Sequence, residues 1–90
     1  MGRRCVQARV TGKVQGVWFR AATQAQAREV GVTGYAANRE DGSVEVVLCG
    51  GREAVDTVVN WLWQGPPAAQ VAHVEAADID WQCHDDFTTH

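Results

Sequence analysis

Apolar and polar residues alternate in two segments of the chain, which predicts two half-buried strands. In residues 5–14 one side carries the apolar set Val6, Ala8, Val10 and Val14, and in residues 43–49 one side carries Val44, Val46 and Leu48. Successive side chains of a strand point to opposite faces, so each set lies on one face. Residues 32–38 are β-compatible, and Asp41-Gly42 predicts a hairpin turn between them and residues 43–49.

The second half of the chain adds one irregular strand and one uncertain one. Residues 71–81 alternate less regularly, which indicates a strand with a bulge. Residues 87–89 are a candidate for a short fifth strand, which the sequence leaves open because the tail around them is polar.

Two segments have helical rather than strand periodicity. The first spans residues 19–30 and places Phe19, Thr23, Ala27 and Val30 on one face; the second places Val55, Val58, Val59 and Leu62 on one face. Gly31 ends the first helix, and Gly65-Pro66-Pro67 ends the second.

The resulting order is β-α-β-β-α-β in 90 residues, the length of one domain. Right-handed crossovers place both helices on the same side of the sheet. We therefore expect a ferredoxin-like α+β fold: a two-layer sandwich in which an antiparallel sheet carries two helices on one face, with residues 1–90 as a single domain.

Charge is distributed unevenly along the chain. The formal net charge is −3, which argues against a uniformly basic nucleic-acid-binding protein. Residues 1–45 nevertheless contain seven basic and four acidic side chains, so an anion site is expected in that half. Because no segment has the roughly 20 consecutive apolar residues of a membrane span, and the amino-terminal residues do not resemble a signal peptide, we expect no membrane association.

The three cysteines, Cys5, Cys49 and Cys83, have no C-x-x-C spacing and are odd in number. We expect free thiols, which suit a reducing cytoplasm, and no disulfide framework. The run Cys83-His84-Asp85-Asp86 could form a metal cluster, but a polar loop is favoured because adjacent ligands rarely converge on one ion. We expect no bound metal.

The segment between the first strand and the first helix carries the candidate chemistry. It reads Gly12-Lys13-Val14-Gln15-Gly16-Val17-Trp18-Phe19-Arg20. Backbone N–H groups in such a loop can form an anion nest beside a helix N-terminus, and Arg20 offers a planar fork for two phosphate oxygens. The structural alternative is a solvated arginine.

Asn38 ends the second strand, and turn formation would account for it by itself. The first and second strands run parallel in the expected fold, so their carboxyl ends share one edge of the sheet. Asn38 could therefore orient a water beside an anion at Arg20. Trp18 either borders a pocket for the rest of the ligand or packs as a partly exposed residue, and the sequence does not choose between these roles.

These motifs resemble the acylphosphatase family. The resemblance rests on residues 12–20 and on Gly34-Tyr35-Ala36-Ala37-Asn38-Arg39-Glu40-Asp41-Gly42-Ser43-Val44-Glu45, and it covers residues 4 to about 81. It implies a ferredoxin-like enzyme that hydrolyses acyl phosphates without a metal or other cofactor. It also implies that Arg20 and the loop residues Gln15, Gly16, Val17, Trp18 and Phe19 bind the phosphate, and that Asn38 positions the attacking water.

The sequence departs from the family pattern at Ala36-Ala37, where bulkier or basic residues are common, and in its polar tail. The expected partner is a small-molecule acyl phosphate, with no nucleic acid or membrane partner, and the expected state is a monomer. The alternative function is a non-catalytic anion- or phosphate-binding module, for which Asn38 would be unnecessary. An RNA-binding domain would need aromatic residues on its exposed strands, where this sequence has Gln7, Arg9, Thr11 and Glu45.

Overall fold

The computed structural model describes residues 2–90. Five strands and two helices follow one another in the order β1 (Arg3–Lys13), α1 (Phe19–Glu29), β2 (Thr33–Asn38), β3 (Val44–Gly51), α2 (Arg52–Leu62), β4 (Gln70–Ile79) and β5 (Phe87–Thr89). The predicted β-α-β-β-α-β order is confirmed, and the polar tail forms the fifth strand that the sequence left open.

The strands form one sheet in the order β4-β1-β3-β2-β5. β3 pairs antiparallel with both β1 and β2, so these two strands run parallel to each other and end at the same edge, as predicted. β5 pairs parallel with β2, however, so the expectation of an antiparallel sheet is wrong for this edge and the sheet is mixed. Phe87 explains the added strand, because this fully buried ring anchors the polar tail in the core.

The main core lies between the helices and one face of the sheet. The alternating apolar residues of the two predicted strands are all buried there, together with Phe19, Val55, Val58 and Leu62 from the helices. Burial of one face of each strand and one stripe of each helix is the arrangement that their periodicities require. The prediction of helices on one face of a two-layer sandwich is confirmed.

Two glycines allow close approaches between strands. Gly12 has φ of 119°, and a Cβ there would lie 2.3 Å from the Gln70 carbonyl oxygen. The β1–β4 register shifts at this point, because Thr11 pairs with His73 while Gly12 pairs with Val71. The extra residue, Ala72, forms the bulge expected in this strand. A Cβ at Gly34 would lie 1.9 Å from the Val47 carbonyl oxygen, so β2 also has no room for a side chain there.

The opposite face of the sheet is covered at one end by residues 80–86, which connect β4 to β5 at the other edge. A second cluster of buried residues lies there: Cys5, Val47 and Cys49, with Tyr35 and Ile79 packed against it. The backbone N–H of Gln82 donates to Cys5 Sγ at 3.3 Å, and the ring of Tyr35 lies 6.1 Å from that of His84. The strands in this region are therefore buried on both faces.

Cys5 and Cys49 form a disulfide, so the expectation of free thiols is wrong for these two residues. They are direct partners in the β1–β3 register, with their Cα atoms 4.2 Å apart. Strand pairing brings them together across a sequence separation of 44 residues, which no local spacing motif reveals. Cys83 is free and exposed.

Both helices contain 11 residues. Within residues 2–90, no helix combines the length and hydrophobicity that crossing a membrane would require.

Candidate active site

The candidate site is a cavity of about 400 Å³ beside the carboxyl ends of β1 and β2. Arg20 and Asn38 both line it, although 17 residues lie between them in the sequence. The remaining lining residues are Val14, Gly16, Trp18, Phe19, Ala21 and Thr89. The parallel relation of β1 and β2 therefore brings together the two side chains on which the sequence-based hypothesis depends.

The loop before α1 has the alternating backbone of an anion nest. Gly16 and Trp18 have φ values of 72° and 66°, both left-handed, whereas Val17 between them does not. Among the described residues, Trp18 is the only non-glycine residue with positive φ. Alternation of this kind can turn successive N–H groups toward one point.

The backbone N–H groups of this loop are available to an anion. Within residues 2–90, none of the N–H groups of residues 15–18 donates to a backbone carbonyl. The first N–H bonded back into α1 is that of Ala22, which donates to the Trp18 carbonyl at 2.9 Å, and no side chain caps the helix. The first turn of a helix has unpaired N–H groups and a partial positive charge, so this end of α1 favours a negatively charged ligand.

Two side chains at this junction are buried and anchor the loop to the core. Val17 is 7% exposed and Phe19 is 1% exposed, and the Phe19 ring lies 5.9 Å from that of Trp61. Because both side chains are buried, the backbone groups of these residues are the ones available to a ligand.

Gln15 connects the loop to the turn after Asn38. Its Nε2 atom donates to the carbonyl oxygens of Arg39 at 2.8 Å and Ser43 at 2.9 Å. Both amide hydrogens thus hold the β2–β3 turn, and Gln15 does not line the cavity. The sequence placed Gln15 in the substrate-binding loop, but it could not reveal these acceptors, which are backbone atoms more than 20 residues away.

Arg20 is positioned by the last residues of the chain. Its Nη1 atom donates to the carbonyl oxygen of His90, and the His90 N–H donates to the Ala36 carbonyl at 2.9 Å in β2. Thr89 borders the same cavity. The sequence did not reveal this contribution of the tail, because its polar composition gave no indication that the tail would reach the site.

The charges around the cavity leave Arg20 available for an anion. Arg9 pairs with Asp41 and Arg39 pairs with Glu45, whereas Arg20 forms no ion pair within residues 2–90. Hydrogen bonds from the Ser43 hydroxyl and N–H, together with Arg9, hold the pKa of Asp41 well below its usual range. Asp41 therefore remains ionised near the turn and fixes that turn rather than taking up a proton.

A larger concavity of about 720 Å³ lies on the helix-free face, between β1, β4 and the β2–β3 turn. Its charged side chains are largely paired with one another, as in Arg9–Asp41 and Arg39–Glu45. The smaller cavity is the better site for an anion because it combines an unpaired guanidinium with a helix N-terminus.

No group of three or more metal-ligating side chains occurs in the part of the chain from Gly2 to His90. The run Cys83-His84-Asp85-Asp86 therefore does not form such a group. His84 contacts Gln82, and Asp86 pairs with Arg28. The absence of a metal from the reaction remains a prediction.

The fold and the cavity together define a ferredoxin-like α+β domain with a candidate anion site at a strand–helix junction. The acylphosphatase family model matches residues 6–89, and the chain therefore belongs to the acylphosphatase family. The family resemblance and the enzyme class predicted from the sequence are confirmed.

The sequence is similar to those of curated relatives over most of their length. The chain is 67% identical over 80 residues to the acylphosphatase of Chromohalobacter salexigens, covering 89% of each chain. It is 55% identical over 73 residues to the acylphosphatase of Pelotomaculum thermopropionicum, covering 81% of this chain and 76% of the relative.

Solved structures show the same fold. The acylphosphatase of Coxiella burnetii superposes with a TM-score of 0.94 at 39% identity, covering 98% of this chain and 93% of that one. The acylphosphatase of Bacillus subtilis superposes with a TM-score of 0.92 at 29% identity, covering 96% of this chain and 97% of that one.

Proposed function

We propose that this chain hydrolyses acyl phosphates to a carboxylate and inorganic phosphate, with Arg20 and Asn38 as its catalytic residues. The observation that carries the proposal is their presence in one cavity with the nest-like loop before α1. The match over residues 6–89 supports a single acylphosphatase-like domain spanning residues 1–90.

The phosphoryl group would bind between the loop and Arg20. The N–H groups of residues 15–19, at the positive end of α1, would donate hydrogen bonds to its oxygens, and the guanidinium would donate to two of them. These donors can stabilise charge on the phosphoryl oxygens during transfer, which is the main requirement of this type of reaction.

Asn38 would hold the attacking water in the same cavity. Its side-chain amide can accept from and donate to water, but it cannot take up a proton. Water adds to phosphorus while the bond from phosphorus to the acyl oxygen breaks, and a phosphate oxygen receives the proton of the water. The leaving carboxylate has an ordinary pKa of about 4, so it departs without a general acid.

This chemistry needs neither a metal nor another cofactor, because Arg20 and the N–H groups supply the positive charge. The alternative function, a non-catalytic anion-binding module, is disfavoured by the high identity to curated acylphosphatases. It is also disfavoured by Asn38, which binding of an anion alone would not require.

The test is hydrolysis of benzoyl phosphate by the purified chain with and without EDTA, beside Arg20→Ala and Asn38→Ala. We expect hydrolysis that survives EDTA. Asn38→Ala should lower kcat by about 10²-fold while inhibition by inorganic phosphate is retained, because only the water is misplaced. A folded wild-type chain without hydrolysis would overturn the enzyme proposal, and an unchanged kcat in Asn38→Ala would overturn the role of Asn38.

We also propose that the enzyme is a cytoplasmic monomer that acts on a small molecule and binds no nucleic acid. The exposed large apolar side chains are not grouped in one segment: Trp18 and Val30 lie at opposite ends of α1, Trp63 follows α2 and Trp81 follows β4, which supports a monomer. Light scattering should give the mass of one chain. Free thiols would favour a reducing cytoplasm, but Cys5 and Cys49 form a disulfide, so cell fractionation is needed to test the location. Recovery of the protein outside the cytoplasmic fraction would contradict the proposal.

A further inference from the structure

Trp18 differs from the other three tryptophans in having no aromatic or cationic partner for its ring among the described residues. Trp61 packs against Phe19, Trp63 lies edge-on to His73 at 5.5 Å, and Trp81 lies 4.4 Å from the guanidinium carbon of Arg3. Within residues 2–90, the Trp18 ring has no aromatic or cationic neighbour of this kind, and the residue is 80% exposed.

The fold itself gives no reason for a tryptophan at this position. An indole contributes to stability mainly by burying its large surface, and this one is exposed. The backbone is also left-handed, with φ of 66°, a conformation that glycine or asparagine adopts more readily. A large exposed side chain on an unfavourable backbone conformation is the kind of outlier that points to a ligand.

The place of Trp18 indicates which part of a ligand it meets. It borders the cavity with Arg20 and Asn38, and it directly precedes the helix end where the phosphoryl group would bind. Arg20 and the backbone N–H groups would hold the charged end of the substrate, so the uncharged end extends toward the mouth of the cavity. Ala21, which has a small side chain, lines the same cavity as Trp18.

We propose that the indole of Trp18 is the platform on which the acyl group of the substrate lies, which makes Trp18 a specificity-determining residue. The substrate class is acyl phosphates with an aromatic or extended apolar acyl group, in preference to acetyl phosphate. This inference rests on the proposed hydrolase function, because it assigns the acyl half of the same site.

The experiment compares benzoyl phosphate with acetyl phosphate in the wild type, Trp18→Phe and Trp18→Asn. Asparagine removes the ring but tolerates the left-handed backbone, whereas phenylalanine retains a ring. The ratio of kcat/KM for benzoyl phosphate to that for acetyl phosphate should fall by about three- to tenfold in Trp18→Asn, the effect of losing one ring contact. Trp18→Phe should retain most of the ratio.

Trp63→Ala is the matched control, because Trp63 is also exposed but lies outside the cavity. It should leave the ratio unchanged. Equal losses with both substrates in Trp18→Asn would overturn the inference while leaving the hydrolase function intact. Absence of hydrolysis of either substrate by the wild type would instead overturn the proposed function.

A binding measurement gives a second readout that does not depend on turnover. Phenylphosphonate and methylphosphonate share the charged end and differ in the ring. Phenylphosphonate should change the tryptophan fluorescence of the wild type and should bind more tightly than methylphosphonate. In Trp18→Asn the fluorescence change and the difference in affinity should both be lost. Equal affinity of the wild type for the two phosphonates would overturn the inference.

Discussion

The two helices begin in different ways although each has 11 residues and follows a strand. At α2 the N-cap Gly51 is extended, Glu53 lies in the first turn, and the Arg52 N–H donates to the Gly2 carbonyl at 3.0 Å. At α1 the N-cap Trp18 is left-handed, and the first turn has no acidic residue. Within residues 2–90, the start of α2 thus has one backbone acceptor and one carboxylate of the chain itself, whereas the start of α1 has neither.

This difference separates a structural helix end from a binding one. Every helix N-terminus has free N–H groups and partial positive charge, which a carboxylate or an acceptor usually offsets. At α2 the chain provides both Glu53 and the Gly2 carbonyl. At α1 the same requirement remains open beside Arg20, so an external anion can fulfil it.

The largest expected effect tests this contrast directly. Arg20→Ala should lower kcat/KM for benzoyl phosphate by about 10³-fold, because a guanidinium that stabilises transferring phosphoryl oxygens contributes on this scale. Arg52 also lies in the first turn of a helix, α2. Arg52→Ala should change kcat/KM by less than about twofold, as expected for an ordinary surface substitution. Similar losses in both variants, measured by steady-state kinetics, would refute the contrast.

The disulfide, which lies near the start of α2, should affect the free energy of unfolding without affecting catalysis at the start of α1. Cys49 lies just before the N-cap of α2, and its bond to Cys5 closes a separation of 44 residues. Reduction should therefore lower the free energy of unfolding by about 3–4 kcal/mol, mainly by releasing the unfolded chain. Urea unfolding with and without a reductant measures this change.

The reduced protein, where it remains folded, should retain its kcat because the disulfide lies at the end of β1 remote from the candidate site. Cys83→Ser, which removes the free thiol, is the control and should leave stability unchanged. A fall in kcat on reduction without unfolding would mean that the two ends are coupled.

A smaller effect is expected at Gln15, which connects the α1 loop to the β2–β3 turn. Gln15→Ala removes two hydrogen bonds and should lower stability by about 1–2 kcal/mol. It should also lower kcat, because the loop is no longer held against the turn after Asn38. Gln24→Ala removes a similar bond from Gln24 Nε2 to the Phe87 carbonyl, outside the cavity lining. This control should lower stability but not kcat, and equal kcat values in both variants would contradict the role of Gln15.

The smallest effect concerns the far end of α1, where Arg28 pairs with Asp86. Hydrogen bonds from Arg28 and from the Phe87 N–H lower the pKa of Asp86 below its ordinary value of 3.8. A carboxyl whose pKa is lower in the folded state stabilises the fold above pH about 4 and loses this contribution as the pH falls through the folded value. Asp86→Asn should therefore reduce the fall of Tm below pH 4, and only slightly because both side chains are exposed. An acid-induced fall in Tm as steep as that of the wild type would contradict this assignment.

Local patterns determined most of the elements. The alternation around Val6, Val10 and Val46 predicted β1 and β3 and their buried faces, and the helical spacing of Val55, Val58 and Leu62 predicted α2. These predictions succeed because the period of a strand or a helix is set by its own backbone geometry, so the sequence of the element is sufficient to reveal it. The motif residues 12–20 and Asn38 likewise indicated the family, which the comparisons confirm.

The tertiary structure decided several contacts between distant residues that the sequence did not predict. The Cys5–Cys49 bond, the parallel pairing of β5 with β2, the acceptors of Gln15 and the contact of Arg20 with His90 all join positions far apart in the chain. The sequence argued against two of these contacts: the disulfide, because the cysteines lack a spacing motif, and the pairing of β5 with β2, because the tail is polar. The physical reason is that register and packing are properties of pairs of elements, and each depends on contacts that neither element encodes alone.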